Sequence, residues 1–181
     1  MSEKTVVVFK PDSVEGGLVG EILSRFERAG LRIVGSKTLT VTREFVSRHY
    51  PDKEEYLRSV GERTLEGYAK DDLDAKEIFG TEGPLKIGKL VRNWNMDYLA
   101  EKRVIAVVLE GERTIANVRK IVGKTDPSTA DPGTVRADYS SDSFGVANKE
   151  HRSVRNLVHA SGSIEDAKYE LKLWFKSEEL V

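Results

Sequence analysis

The sequence of 181 residues contains no cysteine, and this absence alone excludes several classes of protein. Without cysteine there is no disulfide framework, no cysteine-ligated zinc site and no thiol nucleophile. Neither sign of charge dominates, since 29 Lys and Arg residues face 30 Asp and Glu residues and the formal net charge is −1. We therefore expect no requirement for nucleic acid, whose recognition favours strongly basic surfaces.

Long hydrophobic runs are also missing. No stretch approaches the roughly 20 apolar residues of a membrane-spanning helix, and the apolar run Thr5–Phe9 is too short for the hydrophobic region of a signal peptide. We expect a soluble, cytoplasmic protein that makes no membrane contact. The length predicts one domain covering residues 1–181.

Two glycine-rich phosphate-binding motifs are absent as well. The chain has no GxxxxGK[ST] motif and no GxGxxG motif after a predicted strand. If a protein with this sequence handles nucleotides, it does so without the usual glycine cradle.

Apolar residues follow the periods of strands and helices along most of the chain. Alternating or continuous apolar runs predict strands, and apolar residues three and four positions apart predict helices. The predicted strands are Thr5–Phe9, Leu31–Val41, Val104–Leu109 and 154–159, and the predicted helices are Leu18–Ala29, about Arg113–Val122 and Ile164–Phe175. The pair Ser163 and Asp166 has the spacing of a capping box at the start of the last helix. Helices alternating with few strands predict a two-layer α/β sandwich.

Two segments fit this pattern poorly. Pro51–Glu101 holds 12 acidic and 8 basic residues, a net charge of −4, and its scattered helical spacing predicts a helical insertion at about 52–101. Lys124–Lys149 is rich in Asp, Pro, Ser and Gly and is predicted to be a long loop.

Three blocks of sequence carry a resemblance to a known family. They read VFKPDSVEGGLVGEILSRFERAGLRIVGSK, GKTDPSTADPGTVRADY and RNLVHASGSIEDAKYELKLWF, and they occur in the order that nucleoside diphosphate kinases have. Relative to that family, residues of about 52–101 and Ser141–Arg152 are insertions. The resemblance implies a ferredoxin-like α/β fold, in which helices cover a four-stranded antiparallel sheet.

The resemblance also implies an activity and its partners. The activity is the exchange of a γ-phosphoryl group between nucleoside triphosphates and nucleoside diphosphates, which are the partners. The implied cofactor is Mg²⁺, bound through the nucleotide phosphates. No protein ligand to a metal is implied. The family further implies a homo-oligomer, which is a hexamer, a tetramer or a dimer.

Individual site residues are implied by the same resemblance. His159 stands where the family's phosphorylated histidine stands, and Glu170 resembles the carboxylate that orients it. Lys10 and Tyr50 complete the catalytic set, with Tyr50 beside the lysine. Ser161 stands in the serine position after the histidine. The residues implied in nucleotide binding are Lys10, Arg119, Thr125, Arg136 and Asn156.

The chemistry of imidazole supports His159 independently. Ping-pong transfer needs a nucleophile that holds the phosphoryl group between two nucleotides, and neutral imidazole is available near pH 7 because its ordinary pKa is about 6.5. Glu170 can equally be a solvated helix position, and Tyr50 a half-buried core residue. The alternative function is a catalytically silent nucleotide-binding or scaffolding protein of the same fold. His49 and His151 lack comparable context and are expected at the surface.

The sequence departs from the family at two places near the expected site. The family's HGSDS reads HASGS here, so that Ala160 and Gly162 replace glycine and aspartate. The position of the aromatic that stacks on the base falls near Leu90–Arg92, where there is no aromatic residue. Tyr56 and Trp94 are the two candidate replacements.

The segment NLVHASGS allows a prediction about the backbone. In a regular strand, Asn156 and His159 would point to opposite faces, yet the implied site needs both side chains. We therefore predict a strained residue between them, with a positive φ at Leu157. The family likewise carries a strained residue two positions before its histidine.

Overall fold

The computed structural model describes residues 2–70 and 74–181. Within these residues the strands are β1 (Ser2–Phe9), β2 (Arg32–Thr40), β3 (Arg103–Glu112) and β4 (Val158–Ala160). The α-helices are α1 (Pro11–Glu15), α2 (Val19–Arg28), α3 (Arg43–His49), α4 (Glu54–Lys70), α5 (Ala75–Phe79), α6 (Pro84–Leu99), α7 (Thr114–Val122), α8 (Val135–Tyr139), α9 (Phe144–Lys149) and α10 (Ile164–Trp174). Two short 3-10 helices span Pro127–Thr129 and Ser177–Glu179.

The chain divides into two compact units. The first consists of Met1–Val41, Lys102–Ser141 and Asn156–Val181, and the second of Thr42–Glu101 and Asp142–Arg155. The second unit therefore contains most of both segments that the sequence sets apart as insertions. The prediction of a single domain stays a prediction.

A four-stranded antiparallel sheet in the order β2-β3-β1-β4 forms the centre of the first unit. In its registers, Val7 of β1 lies opposite Val107 of β3 on one side and Ala160 of β4 on the other. The residues Val6–Phe9 are completely buried, which is what a continuous apolar run bounded by turn residues predicts. The ferredoxin-like fold and the four-stranded antiparallel sheet are confirmed.

The core of the first unit lies between this sheet and two helices. Val7 and Phe9, which share a face because side chains of a strand alternate, belong to one buried cluster with Ile22 and Phe26 of α2 and Val118 of α7. Burying each such side chain contributes about 1.5–3 kcal/mol. This packing fixes the end of β1, where the first predicted site residue follows.

The last strand is shorter than predicted. It begins at Val158 rather than at residue 154, because Leu157 has a left-handed backbone with φ 71° that regular strand pairing does not allow. The predicted helix after it is confirmed as α10, and Ser163 caps it by accepting a hydrogen bond from the Asp166 amide at 3.0 Å.

The predicted long loop Lys124–Lys149 is wrong in part, since it contains a 3-10 helix, α8 and α9. Polar side chains start two of these elements. Asp126 Oδ1 accepts from the Ser128 amide at 3.0 Å, and Ser143 Oγ accepts from the Val146 amide at 3.1 Å. Such caps stabilise helical turns in segments whose composition otherwise suggests a loop.

The second unit is organised around a close crossing of α4 and α6. A Cβ atom on Gly61 would stand 1.8 Å from the Pro84 carbonyl oxygen, and one on Gly88 would stand 1.8 Å from the Leu57 carbonyl oxygen. No real atom tolerates such distances, so the two backbones approach this closely only because glycine stands at both positions. Within the described residues, no helix is long and apolar enough to cross a membrane.

The segment Asp142–Arg155 closes on itself within the second unit. Arg152 donates to both carboxylate oxygens of Asp142, at 2.6 and 3.0 Å, and the Arg155 amide donates to Asp142 Oδ2 at 2.7 Å. Burial alone would raise the pKa of Asp142, but these donors outweigh it and hold the pKa below its ordinary value. Ser153 Oγ donates to Asn95 Oδ1 at 2.6 Å, which ties the segment to α6.

Aromatic side chains of the second unit correct one expectation about histidine. His151 is exposed as predicted, and its ring centroid lies 5.9 Å from that of Trp94. His49, by contrast, is buried, and its ring centroid lies 4.7 Å from that of Tyr50. The expectation rested on the lack of a motif around His49, which carries no information about burial. Trp94 packs on Phe79 at 5.7 Å, and the choice between it and Tyr56 as a base-stacking residue stays open.

Candidate active site

A tight turn immediately before β4 breaks the alternation between Asn156 and His159. Leu157 has φ 71°, as predicted, and the Val158 amide donates to the Asn156 carbonyl at 2.8 Å. A hydrogen bond between residues i and i+2 around a residue of positive φ defines the rare, strained form of the γ-turn. We call residues 156–158 the γ-turn below.

Lys10 and Asn156 meet at the end of β1. Lys10 Nζ donates to Asn156 Oδ1 at 2.7 Å, and Asn156 Nδ2 donates to the Thr125 carbonyl at 2.8 Å. Both Lys10 and Asn156 are buried. Burial lowers the pKa of Lys10 to about 8, with Asp12 opposing the change and the Arg136 cation adding to it.

His159 and Glu170 form the second contact among predicted site residues. His159 Nε2 lies 2.8 Å from Glu170 Oε1, and Ser161 Oγ donates to Glu170 Oε2 at 2.7 Å. Glu170 projects from α10 and is buried, so that the alternative of a solvated helix position is wrong. An ionised carboxylate only accepts hydrogen bonds, so with Glu170 ionised the proton of this contact is on Nε2 and Nδ1 is left as the nucleophilic ring nitrogen.

Arg136 is buried beneath the γ-turn and donates to three backbone carbonyls. Its Nε donates to Asn156 at 3.2 Å, its Nη1 to Gly123 at 3.0 Å and its Nη2 to Val158 at 2.8 Å. The described contacts of this guanidinium therefore brace the turn from the side of α8.

Arg119 and Thr125 are exposed. Arg119 lies on α7, and its Nη1 stands 3.8 Å from the position that a Cβ atom on Gly162 would occupy. Asp166 Oδ2 stands 2.9 Å from the same position, so glycine at 162 leaves room for a carboxylate from α10.

Comparison with known proteins identifies the family of this site. The family model described as nucleoside diphosphate kinase matches residues 3–59 and 88–180. A nucleoside diphosphate kinase from Pyrobaculum aerophilum is 44% identical over 179 residues, which are 99% of this chain and 98% of that protein. One from Trichodesmium erythraeum is 40% identical over 99% of this chain and 91% of that protein. The chain belongs to the nucleoside diphosphate kinase family.

Solved structures of nucleoside diphosphate kinases agree with this assignment. The crystal structure of an NDP kinase from Pyrobaculum aerophilum covers 100% of both chains with a TM-score of 0.94 and 42% identity. A nucleoside diphosphate kinase from Borrelia burgdorferi, described as a transition state mimic with bound vanadate and ADP, covers 99% of this chain and 90% of that chain with a TM-score of 0.79 and 33% identity. The protein is therefore a phosphotransferase of nucleotide metabolism, and its substrates are nucleoside di- and triphosphates.

The matches also locate the unusual segment more closely. The family model leaves residues 60–87 unmatched, a narrower range than the insertion of about 52–101 predicted from the sequence. The Pyrobaculum aerophilum kinases match this chain over nearly their whole length, so a corresponding segment is part of those proteins too.

Tyr50 is the one predicted site residue of the kinase that lies in the second unit. It follows α3, is buried, and its carbonyl accepts a hydrogen bond from Arg92 Nε at 2.8 Å. It is more deeply buried than the half-buried core position considered for it, and its catalytic role stays a prediction.

Two residues that contact the γ-turn were not identified from the sequence. Asp12 and Ser13 follow Lys10 in the turn that leads into α1, and both make hydrogen bonds to Leu157. The only sequence signal was the Lys-Pro-Asp-Ser order after β1, which indicates a turn but not its partner.

Proposed function

We propose that this nucleoside diphosphate kinase works by a ping-pong mechanism in which His159 becomes the phosphorylated residue. The contact between His159 Nε2 and Glu170 Oε1 supports this proposal most, because it fixes the tautomer and the orientation of the ring. Ser161 in turn fixes Glu170. A nucleophile, an orienting carboxylate and a residue that holds the carboxylate are the arrangement that covalent transfer requires.

In the first half-reaction, Nδ1 of His159 attacks the γ-phosphorus of the nucleoside triphosphate. The N–P bond forms as the bond between the γ-phosphorus and its bridging oxygen breaks, and that oxygen leaves with the electron pair as part of the nucleoside diphosphate. The imidazole ring gains positive charge, which the buried carboxylate of Glu170 stabilises through the Nε2 proton. In the second half-reaction, a terminal β-phosphate oxygen of another nucleoside diphosphate attacks the same phosphorus and the N–P bond breaks.

Positioning and charge neutralisation are what the protein must supply to phosphoryl transfer. We propose that Lys10 and Asn156 hold the ribose hydroxyls and that Lys10 also reaches phosphate oxygens. The 2.7 Å contact between them supports a shared position. Tyr50 is proposed to belong to the catalytic set. The residues proposed for the phosphates are Arg119, Thr125 and Arg136. The vanadate and ADP bound by the Borrelia burgdorferi enzyme support an in-line transfer of this kind.

Magnesium is proposed to enter with the nucleotide. Proteins usually bind this ion through one or two carboxylates together with substrate phosphates. Here the proposed phosphate ligands are cations and a hydroxyl, and Glu170 is engaged by His159 and Ser161. This donor set fits an ion that is held by the phosphates, whose charge it neutralises when bound. Chelation with EDTA should therefore abolish transfer, and added Mg²⁺ should restore it.

Assembly and location belong to the same proposal. We propose a cytoplasmic homo-oligomer, either a hexamer, a tetramer or a dimer, in which each chain acts as one domain. The support is the match to kinases over nearly the whole chain. Light scattering after size exclusion measures the subunit number, and a single calorimetric transition is expected for one domain.

The decisive experiment follows the phosphoryl group. Incubation with γ-labelled ATP should give an acid-labile, base-stable protein adduct, and unlabelled GDP should remove the label as GTP. His159→Ala should lose the adduct, whereas the control His151→Ala, which changes an exposed histidine of the second unit, should keep it. A His159→Ala protein that still takes up label and transfers it to GDP refutes the mechanism. A parent protein that takes up no label favours the catalytically silent alternative.

A further inference from the structure

The γ-turn is a strained element, and both backbone groups of its central residue have partners in one distant segment. The Leu157 amide donates to Asp12 Oδ2 at 2.9 Å. The Leu157 carbonyl accepts from the Lys10 amide at 2.9 Å and from Ser13 Oγ at 2.9 Å. Residues 10–13 therefore hold the peptide groups on both sides of the strained α-carbon.

The turn that supplies these groups is itself fixed. Asp12 Oδ1 accepts from the Ser13 amide at 3.0 Å, so the carboxylate bridges its own turn and the amide of Leu157. Ser13 is completely buried, and its Oγ also lies 2.9 Å from the Lys10 carbonyl, so that one hydroxyl hydrogen is shared between two acceptors. A strained backbone such as that of Leu157 persists only where several surrounding contacts hold it in place.

The same turn presents a site residue. The Lys10 side chain donates to Asn156, and the Lys10 amide donates to the Leu157 carbonyl. Residues 10–13 therefore link the contact between Lys10 and Asn156 to the backbone that carries His159. A shift of Leu157 would move Asn156 on one side and, through Val158, His159 on the other. Misplacement by about 1 Å is enough to slow a positioned reaction substantially.

We propose that Asp12 and Ser13 are positioning residues for phosphoryl transfer, which hold the γ-turn so that Asn156 and His159 serve one site. The inference rests on the proposed function of His159. Neither residue is proposed to touch the nucleotide; both act through Leu157.

The experiment compares Ser13→Ala with Ser24→Ala. Ser24 is the matched control because its hydroxyl also donates to a backbone carbonyl, that of Glu21 at 2.8 Å, but in a solvent-exposed contact on α2. Rapid-quench measurement of His159 phosphorylation should show a rate about 3- to 10-fold lower for Ser13→Ala, as expected for one buried hydrogen bond. The KM for ATP should change by a smaller factor than this rate, and Ser24→Ala should match the parent in both.

Asp12→Asn tests the positioning role at the other backbone group of Leu157. The amide keeps an oxygen for only one of the two N–H partners, so the transfer rate should fall as for Ser13→Ala. The variant also removes the negative charge that supports the Lys10 ammonium against the effects of burial and of Arg136. The alkaline limb of the kcat/KM profile should therefore move to lower pH in Asp12→Asn and stay in place in Ser13→Ala.

The outcomes separate this inference from the proposed function. If both variants unfold earlier but phosphorylate His159 at the rate of Ser24→Ala, Asp12 and Ser13 are merely structural and the inference is wrong. If His159→Ala still takes up label, the proposed function is wrong whatever the variants show. Should Ser13→Ala fail to fold, Asp12→Asn alone tests the inference, because it retains an acceptor at the same position.

Discussion

Nucleotide binding at alkaline pH should be accompanied by proton uptake at Lys10. Burial lowers the pKa of this lysine from its ordinary 10.5 to about 8, and it lies against Asn156 in the proposed nucleotide site. A polyanionic phosphate stabilises the ammonium form, so binding should raise the pKa again. The free protein at pH 8–9 therefore has to take up a proton when the nucleotide binds.

The magnitude follows from the position of the pKa. With a value of about 8, the fraction of neutral Lys10 is about 0.1 at pH 7, about 0.5 at pH 8 and about 0.9 at pH 9. If only the ammonium form binds phosphate well, kcat/KM should fall about tenfold between pH 7 and pH 9. A lysine with the ordinary value of 10.5 would lose almost no charge over this range.

Calorimetry measures the uptake directly. Titration of ADP into the protein at pH 8 and pH 9, in buffers of different ionisation enthalpy, gives the number of protons bound per nucleotide. The phosphates of ADP are already fully ionised at these values, so the protons must enter the protein. Lys10→Met, which keeps the length of the side chain without the amine, is the matched variant and should show no uptake. Equal uptake by parent and variant, or none in either, would refute the reasoning.

The free energy of unfolding should rise over the pH range in which kcat/KM falls. The unfolded chain, where the lysine titrates near 10.5, binds more protons than the folded chain between about pH 8 and pH 10.5, so this group makes folding more favourable as pH rises through that window. The full effect is about 3 kcal/mol, from a difference of about 2.5 in pKa at 1.36 kcal/mol each. The difference in unfolding free energy between the parent and Lys10→Met isolates it from other groups.

Three further predictions concern other parts of the molecule. Gly61→Ala should destabilise the protein by about 1–3 kcal/mol or more in thermal unfolding, since its Cβ would stand 1.8 Å from the Pro84 oxygen. The control Gly67→Ala on the same helix, with nothing within 4 Å, should instead stabilise it by up to about 1 kcal/mol. Glu170→Gln should lower kcat about 10- to 150-fold, through loss of a charge-assisted hydrogen bond worth about 1.5–3 kcal/mol, and an unchanged kcat would contradict the role given to Glu170. Deleting residues 60–87 should change KM or subunit number more than the single-turnover rate; a variant with unchanged KM and assembly but no transfer would show the segment to be catalytic.

Local patterns were enough for the main elements of the fold. The β-branched run of β1 and the 3.6-residue spacing of α2, α7 and α10 reflect burial of one strand or one helix face, and such periods are visible in the sequence alone. The strain at Leu157 was also predictable. Regular alternation would have separated Asn156 from His159, so a site that uses both required a break between them.

Contacts between distant residues could not be predicted in this way. Ser13 and Asp12 meet Leu157 across 144 and 145 positions of sequence, and nothing local to either segment indicates the other. Gly61 and Gly67 lie on the same helix, yet only Gly61 faces another backbone. The burial of Glu170 depends likewise on what covers that face of α10 and not on the helix itself.

Two features of the proposed site are unfavourable in free energy, and the hydrogen bonds around them offset this cost. Leaving Lys10 buried costs the free protein about 3 kcal/mol near pH 7, and the positive φ at Leu157 costs about 1–3 kcal/mol more. Both features lie in the region where residues 10–13 meet the γ-turn. A nucleotide relieves the first cost by pairing with the ammonium, whereas the second persists and requires hydrogen bonds from Asp12 and Ser13 in every state. Lys10→Met should therefore gain stability at pH 7 while losing activity, a trade-off expected where function requires a destabilising residue. Ser13→Ala should lose both stability and activity, because it removes a hydrogen bond to Leu157 and leaves the strained backbone in place.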